Sequence, residues 1–156
     1  MRHGNPRPQA PPIQSTGVRF DGLEYGWLVP TKAVRPILIA DDDADTLEGL
    51  MEFLTGAGYR VVSARDGQEA MDLLLGGVVP LLLIIDIAMP HVAGNDVLRF
   101  VQTDPVLRLV PVLVVTGAPE RAARVVADAI VTKPVHLPAL LAHVERLTGT
   151  IATRST

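Results

Sequence analysis

The chain has 156 residues, 48% of them hydrophobic, with 14 Lys and Arg against 17 Asp and Glu and no cysteine. This length supports one domain of ordinary size with a sizeable core plus an extension, and the missing cysteine excludes disulfides, thiolate chemistry and cysteine-based zinc sites. Residues 1–36 hold five Arg/Lys and two Asp/Glu, which leaves nine against fifteen for the rest, an acidic body without the basic stripe that direct nucleic-acid binding needs.

The N-terminus, MRHGNPRPQAPP, lacks the apolar region of a secretory signal, and six of the thirteen prolines fall in residues 1–36. A Pro-rich, partly disordered extension is expected there. Within it, Val18 to Val29 holds Phe20, Tyr25 and Trp27, half of the six aromatics. That segment reads either as a docking stretch for the body or a partner, or as a weakly ordered extension. The longest apolar stretch, Val78 to Ile85, contains Pro80 and stops at Asp86, far short of the roughly 20 residues that cross a bilayer. A cytoplasmic protein with no membrane contact is the expectation.

From Ile37 the pattern becomes regular. Strand Ile37 to Ala40 precedes a helix with Leu47, Leu50, Met51 and Leu54 on one face, stopped at Gly56-Ala57-Gly58. Tyr59 to Ala64 reads as a strand, Gln68 to Leu75 as a helix, and Val79 to Ile85 as a strand bounded by Asp86. A helix from about Asn95 to Gln102, strand Val110 to Val115, a short helix near Glu120 to Ala127, strand Ala129 to Thr132 and a helix from about Pro138 to Leu147 complete the body. It spans 37–148 and leaves a short tail over 149–156. Five strands alternating with five helices predict an α/β fold, a five-stranded parallel sheet in a three-layer sandwich.

Four polar positions end apolar runs: Asp41-Asp42-Asp43, Asp86, Thr116 and Lys133-Pro134. In open parallel sheets, ligands gather at the carboxyl edge of the strands. Adjacent carboxylates repel unless a cation compensates, and Mg²⁺ is usually held by one or two carboxylates with waters and phosphate oxygens. Asp41, Asp42 and Asp86 are candidate metal ligands, while Asp43 and Asp45 are expected to cap and charge the next helix. Asp86 is placed to act as a nucleophile on phosphorus, with Lys133, the only lysine after Lys32, as its compensating charge. Thr116 offers a hydroxyl to a phosphoryl oxygen, and Lys-Pro invites a cis bond.

The stretches ILIADDDADTLEGLMEFLTGAGYRVVSARDGQEAMDLLL, LLLIIDIAMP with Gly94 following, VPVLVVTG and VTKPV together resemble the receiver domain of two-component response regulators, from Ile37 to about Leu147. The resemblance implies a CheY-like, flavodoxin-like fold and a phosphoacceptor signalling domain rather than a conventional enzyme. By resemblance Asp86 is the phosphoacceptor, and Asp41, Asp42 and Asp86 bind Mg²⁺ with the backbone carbonyl of Ala88. Thr116 is the switch hydroxyl and Lys133 pairs with the phosphoryl group. It further implies a sensor histidine kinase or histidine phosphotransfer protein as donor and a downstream protein target.

Three departures from the family stand out. Ile130 occupies the position three before the lysine where an aromatic is usual. Only 17 positions separate Thr116 from Lys133, several fewer than usual, so the fourth helix is expected to be shortened. That helix belongs to the face that commonly dimerises or docks partners, and a homodimer stays open. Ala88 and Ala118 put apolar side chains where groups near the hydrolytic water are often polar. With nine residues after Leu147, a stand-alone receiver working by protein contact is expected. The alternative is a degenerate receiver, an adaptor independent of phosphorylation. A haloacid-dehalogenase-like phosphatase, imitated by Asp43-Ala44-Asp45, fares worse because only Glu145 follows Lys133. His3, His91, His136 and His143 lack ligand spacing.

Overall fold

A computed structural model describes residues 35–154 apart from position 91, with side chains to 149. Apart from Arg35 and Pro36, the expected extension lies outside the described residues, as do Val18 to Val29 and His91. The elements are β1 (Ile37–Ala40), α1 (Ala44–Gly56), β2 (Val61–Ala64), α2 (Gly67–Leu75), β3 (Leu82–Ile85) and α3 (Gly94–Thr103). After a 3-10 turn over Leu107–Leu109 come β4 (Val112–Thr116), α4 (Pro119–Ala122), β5 (Ala129–Thr132) and α5 (Leu137–Arg154). All strands pair in parallel in the order β2-β1-β3-β4-β5. This is the flavodoxin-like sandwich expected.

The central strands β1, β3 and β4 are buried along their whole length, as strands covered on both faces must be. Because strand side chains alternate, each strand feeds two cores. Leu38, Leu83, Ile85, Val112 and Val114 pack under α2 and α3. Ile37, Ile39, Leu82, Ile84, Leu113 and Val115 pack under α1 and α5, with Leu54, Tyr59 and Leu140. Asp43 caps α1, accepting from Asp45 N at 3.1 Å and Thr46 Oγ1 at 2.7 Å, and Asp66 caps α2 by accepting from Glu69 N at 2.8 Å. Each supplies an acceptor to a first-turn donor that has no intrahelical partner.

Several boundaries differ from the sequence pattern for backbone reasons. Tyr59 N donates to Leu54 O and closes the end of α1, so β2 begins at Val61. Ahead of β3, Pro80 has no N–H to give a ladder, and the carbonyls of Val79 and Pro80 instead accept from the Arg35 guanidinium at 3.4 and 2.6 Å. Val110 N closes the 3-10 turn onto Leu107 O, and β4 starts after Pro111.

The fourth helix is shorter than expected, a single turn rather than Glu120 to Ala127. Twelve residues, 117–128, join β4 to β5, and a helix of the usual length, about 11 to 12 residues, with connections of two to six residues at each end does not fit. Arg124 and Val125 make only i→i−3 bonds, and Asp128 rejoins the sheet through Val112 O. As a result the outer face of β5 is poorly covered, and Ile130 is 44% exposed. At the other end, α5 begins one residue early, with His136 Nδ1 accepting from Ala139 N at 3.3 Å. It continues to Arg154, past the expected end at Leu147, because the one Gly there costs only about 1 kcal/mol against Ala.

Candidate functional site

Strand register assembles the site. Ala40 pairs with Ile85, so the next residues, Asp41 and Asp86, leave the sheet at one level of its carboxyl edge. Thr116 pairs with Thr132, and Lys133 follows with its N–H donating to Thr116 O at 2.8 Å. The Lys133–Pro134 bond is cis. Lys133 lies two strands from Asp86, roughly 10 Å at the usual strand spacing, and its long side chain crosses the end of β4. Its Nζ lies 2.8 Å from Asp41 Oδ2 and 3.0 Å from Asp86 Oδ2.

Each buried carboxylate has its other oxygen occupied. Asp41, 2% exposed, accepts from Asp43 N at 2.9 Å, and Asp86, 5% exposed, accepts from Ala88 N at 2.9 Å. Both bonds turn the chain sharply after the strand and leave Oδ2 facing the ammonium. Burial pushes the Asp41 carboxyl above its ordinary range, with Lys133 opposing the shift. Burial alone would lower Lys133, but contact with Asp41 and Asp86 outweighs it and holds the ammonium above the ordinary lysine value of 10.5. The Thr46 hydroxyl holds the exposed Asp43 carboxyl low, which fits a capping role.

Asp42 is exposed beside this pair. One carboxylate oxygen from each of Asp41, Asp42 and Asp86 lies within 4.8 Å of the others. Three hard oxygen donors against one ammonium leave a net negative cluster, so the residues present fit a metal ion. Thr116 is fully buried at the end of β4, and its Oγ1 accepts from Ala118 N at 3.0 Å, leaving the hydroxyl hydrogen to donate elsewhere. The structure thus brings Asp41, Asp42, Asp86 and Lys133 together, with Thr116 and Ala88 at the adjoining strand ends. Neither remaining described histidine joins them: His136 is at the start of α5 and His143 lies within it.

Two glycines, Gly67 and Gly94, shape the loop that carries Asp86. A Cβ on Gly94 would collide with Asp86 O and Ile87 Cα, and one on Gly67 would collide with Val92 O. The loop is therefore in direct backbone contact with the start of α3 at Asp86 and Ile87 and with the start of α2 at Val92. Gly94 was visible in the sequence as a glycine after the Asp86 loop, but the contact of Gly67 joins distant parts of the chain and leaves no local signal.

Comparison with known proteins places these features in context. The model of the response regulator receiver domain matches residues 37–145. The polar-differentiation response regulator DivK of Brucella anthropi is 28% identical over 120 residues, covering 74% of this chain and 97% of DivK. Among solved structures, the receiver domain of a signal transduction histidine kinase from Syntrophus aciditrophicus is 32% identical with a TM-score of 0.68, covering 75% of this chain and 92% of that one. The response regulator TrrA from Thermotoga maritima, solved in complex with Mg²⁺-BeF, is 27% identical with a TM-score of 0.66, covering 72% of this chain and 98% of TrrA.

Proposed function

The chain belongs to the response regulator receiver domain family, and on that premise we propose that it takes a phosphoryl group on Asp86 and signals by protein contact. The donor in this reading is a phosphohistidine on a sensor histidine kinase or phosphotransfer protein in the cytoplasm. Among the described residues no helix is long and apolar enough to cross a membrane. The observation that carries the reading is the shared contact of Lys133 with Asp41 and Asp86 at 2.8 and 3.0 Å. A nucleophilic carboxylate, a second carboxylate and a positive charge there meet where phosphoryl oxygens need compensation.

In the transfer, an Asp86 carboxylate oxygen forms the new P–O bond as the P–N bond to the donor imidazole breaks. The electron pair departs with the ring nitrogen, which then takes a proton from water. Ala88 N holds Asp86 Oδ1, fixing the carboxylate plane, while Lys133 is freed to follow the arriving phosphoryl oxygens. Asp41, Asp42 and Asp86, with the carbonyl of Ala88, would hold Mg²⁺, which when bound offsets the negative charge of carboxylate and phosphoryl group together. The Thr116 hydroxyl, one level further along the sheet, donates to the phosphoryl group and couples its arrival to β4.

The one-turn α4 and the exposed Ile130 favour a second reading, an adaptor that binds without phosphorylation. Incubation with Mg²⁺ and acetyl phosphate, followed by a phosphate-sensitive gel, separates the two. A slower band in the wild type that is absent from Asp86→Asn supports the first, and its absence from both supports the second.

A further inference from the structure

We infer that Val18–Val29 docks within its own chain on an apolar corner at the amino edge of the sheet, opposite the edge that carries Asp86. Among the described residues the exposed large hydrophobics are Leu75, Val106, Leu109, Val126 and Ile130. Four of them share one end of the sheet. Val106 and Leu109 lie in the connection to β4 and Val126 in the connection to β5, whereas Leu75 ends α2 toward the β2 and β1 end of the sheet. In a parallel sheet these connections all reach the amino edge, on the side covered by α2 and α3. Ile130 shares that side on β5, because it pairs with Val114, a residue of the α2 and α3 core. Single exposed apolar residues are ordinary, but Val106, Leu109, Val126 and Ile130, four at the β4 and β5 end of the sheet, point to an interaction surface.

The occupant follows from where the rest of the chain attaches. Arg35 is bound to the carbonyls of Val79 and Pro80, and Pro36 O accepts from Leu81 N at 2.7 Å, so residues 1–34 join at this same edge. Five residues, Pro30 to Val34, separate Val29 from Arg35 and span about 17 Å when extended. From β1 across to β4 is two strand spacings and to β5 three, about 10 and 14 Å, so the tether reaches the corner. The segment is also suited chemically. Leu23, Tyr25, Trp27 and Val29 alternate and share one side of an extended chain, while Asp21 and Glu24 can meet the exposed Arg108 and Arg124 of the same connections.

Trp27 is the only tryptophan, so fluorescence of the full-length protein reports the segment directly, without reference to phosphorylation. The expected result is blue-shifted Trp27 emission with acrylamide quenching several-fold weaker than in a free peptide of residues 18–29, and no dependence on protein concentration. The paired substitution Leu109→Ser and Val126→Ser, at side chains 74% and 78% exposed, should return the emission to that of the peptide with an unchanged circular dichroism spectrum. Should that pair unfold the body, Leu23→Ser with Tyr25→Ser makes the same test from the segment, and is expected to release Trp27. Peptide-like emission in the wild-type chain, or emission unmoved by a folded variant pair, overturns the inference. So does a shift that appears only as concentration rises, because it places the segment on a second copy.

Discussion

Replacing Lys133 with Met tests the electrostatics of the site while keeping most of the side-chain volume. The ammonium lies 2.8 and 3.0 Å from carboxylates that are 2% and 5% exposed. At an effective dielectric of about 20 these contacts are worth roughly 6 and 5.5 kcal/mol before desolvation. Breaking a buried pair leaves an uncompensated charge at a cost of about 3–5 kcal/mol. The Lys133 side chain is 19% exposed and Asp42 opens the site to water, so about 2–3 kcal/mol is the expected loss near pH 7. For a domain near 100 residues each kcal/mol moves Tm by about 4 °C or more, so a drop of roughly 8–12 °C is expected in thermal unfolding followed by circular dichroism.

The pH dependence has a definite sign. Without Lys133 the Asp41 carboxyl, already raised by burial, rises further. Below the ordinary carboxylate value it is protonated in both folded and unfolded chains, and the missing ammonium costs little. As pH rises above that value the unfolded chain ionises first, so the deficit of the variant grows. In the wild type, the stability that Lys133 contributes is fully present below 10.5 and is lost as pH climbs through its raised folded value. Saturating Mg²⁺ should recover part of the deficit, because binding the folded state alone stabilises by about 2.7 kcal/mol at a hundredfold excess over Kd. A Tm within about 2 °C of wild type near pH 7, or a deficit that does not shrink on acidification, would refute the reasoning.

Three further outcomes are expected. Gly94→Ala forces a Cβ into the Asp86 carbonyl and Ile87 Cα; it should cost about 1–3 kcal/mol and weaken Mg²⁺ binding, measured by urea unfolding with and without the metal, whereas unchanged metal binding would show that the loop tolerates the shift. Leu113→Ala, at a fully buried position, should cost about 2–5 kcal/mol, while Leu75→Ser at the exposed end of α2 should stay within about 1 kcal/mol; comparable losses would mean that the end of α2 is covered in solution. Ala88→Asn, which places an amide beside Asp86, should speed loss of the phosphoryl group in a phosphate-release assay; an unchanged lifetime would mean that the side chain at position 88 does not govern hydrolysis.

Most of the fold was legible because each central strand is a short apolar run ended by a polar residue, and Asp41, Asp86, Thr116 and Lys133 mark those ends themselves. The departures arose where backbone bonding decided the boundary. Pro80 and Pro111 carry no N–H, and Tyr59 is a buried aromatic that reads as strand although its N–H closes a helix. The fourth helix could be read as shortened from the Thr116 to Lys133 spacing, but its reduction to one turn depends on how the chain regains the sheet through Asp128. Lys133 as the charge opposite Asp86 was legible, but its contact with Asp41 depends on the strand order that the structure shows, and the contact of Gly67 with Val92 had no counterpart in the pattern.

Acceptance of a phosphoryl group by Asp86 is tested most directly by mass spectrometry of the intact chain after incubation with acetyl phosphate and Mg²⁺. A single phosphoryl adduct is expected, mapped to the peptide containing Asp86, removed by hydroxylamine and absent without Mg²⁺ or in Asp86→Asn. No adduct on a folded wild-type chain, or an adduct that persists in Asp86→Asn, would contradict the account.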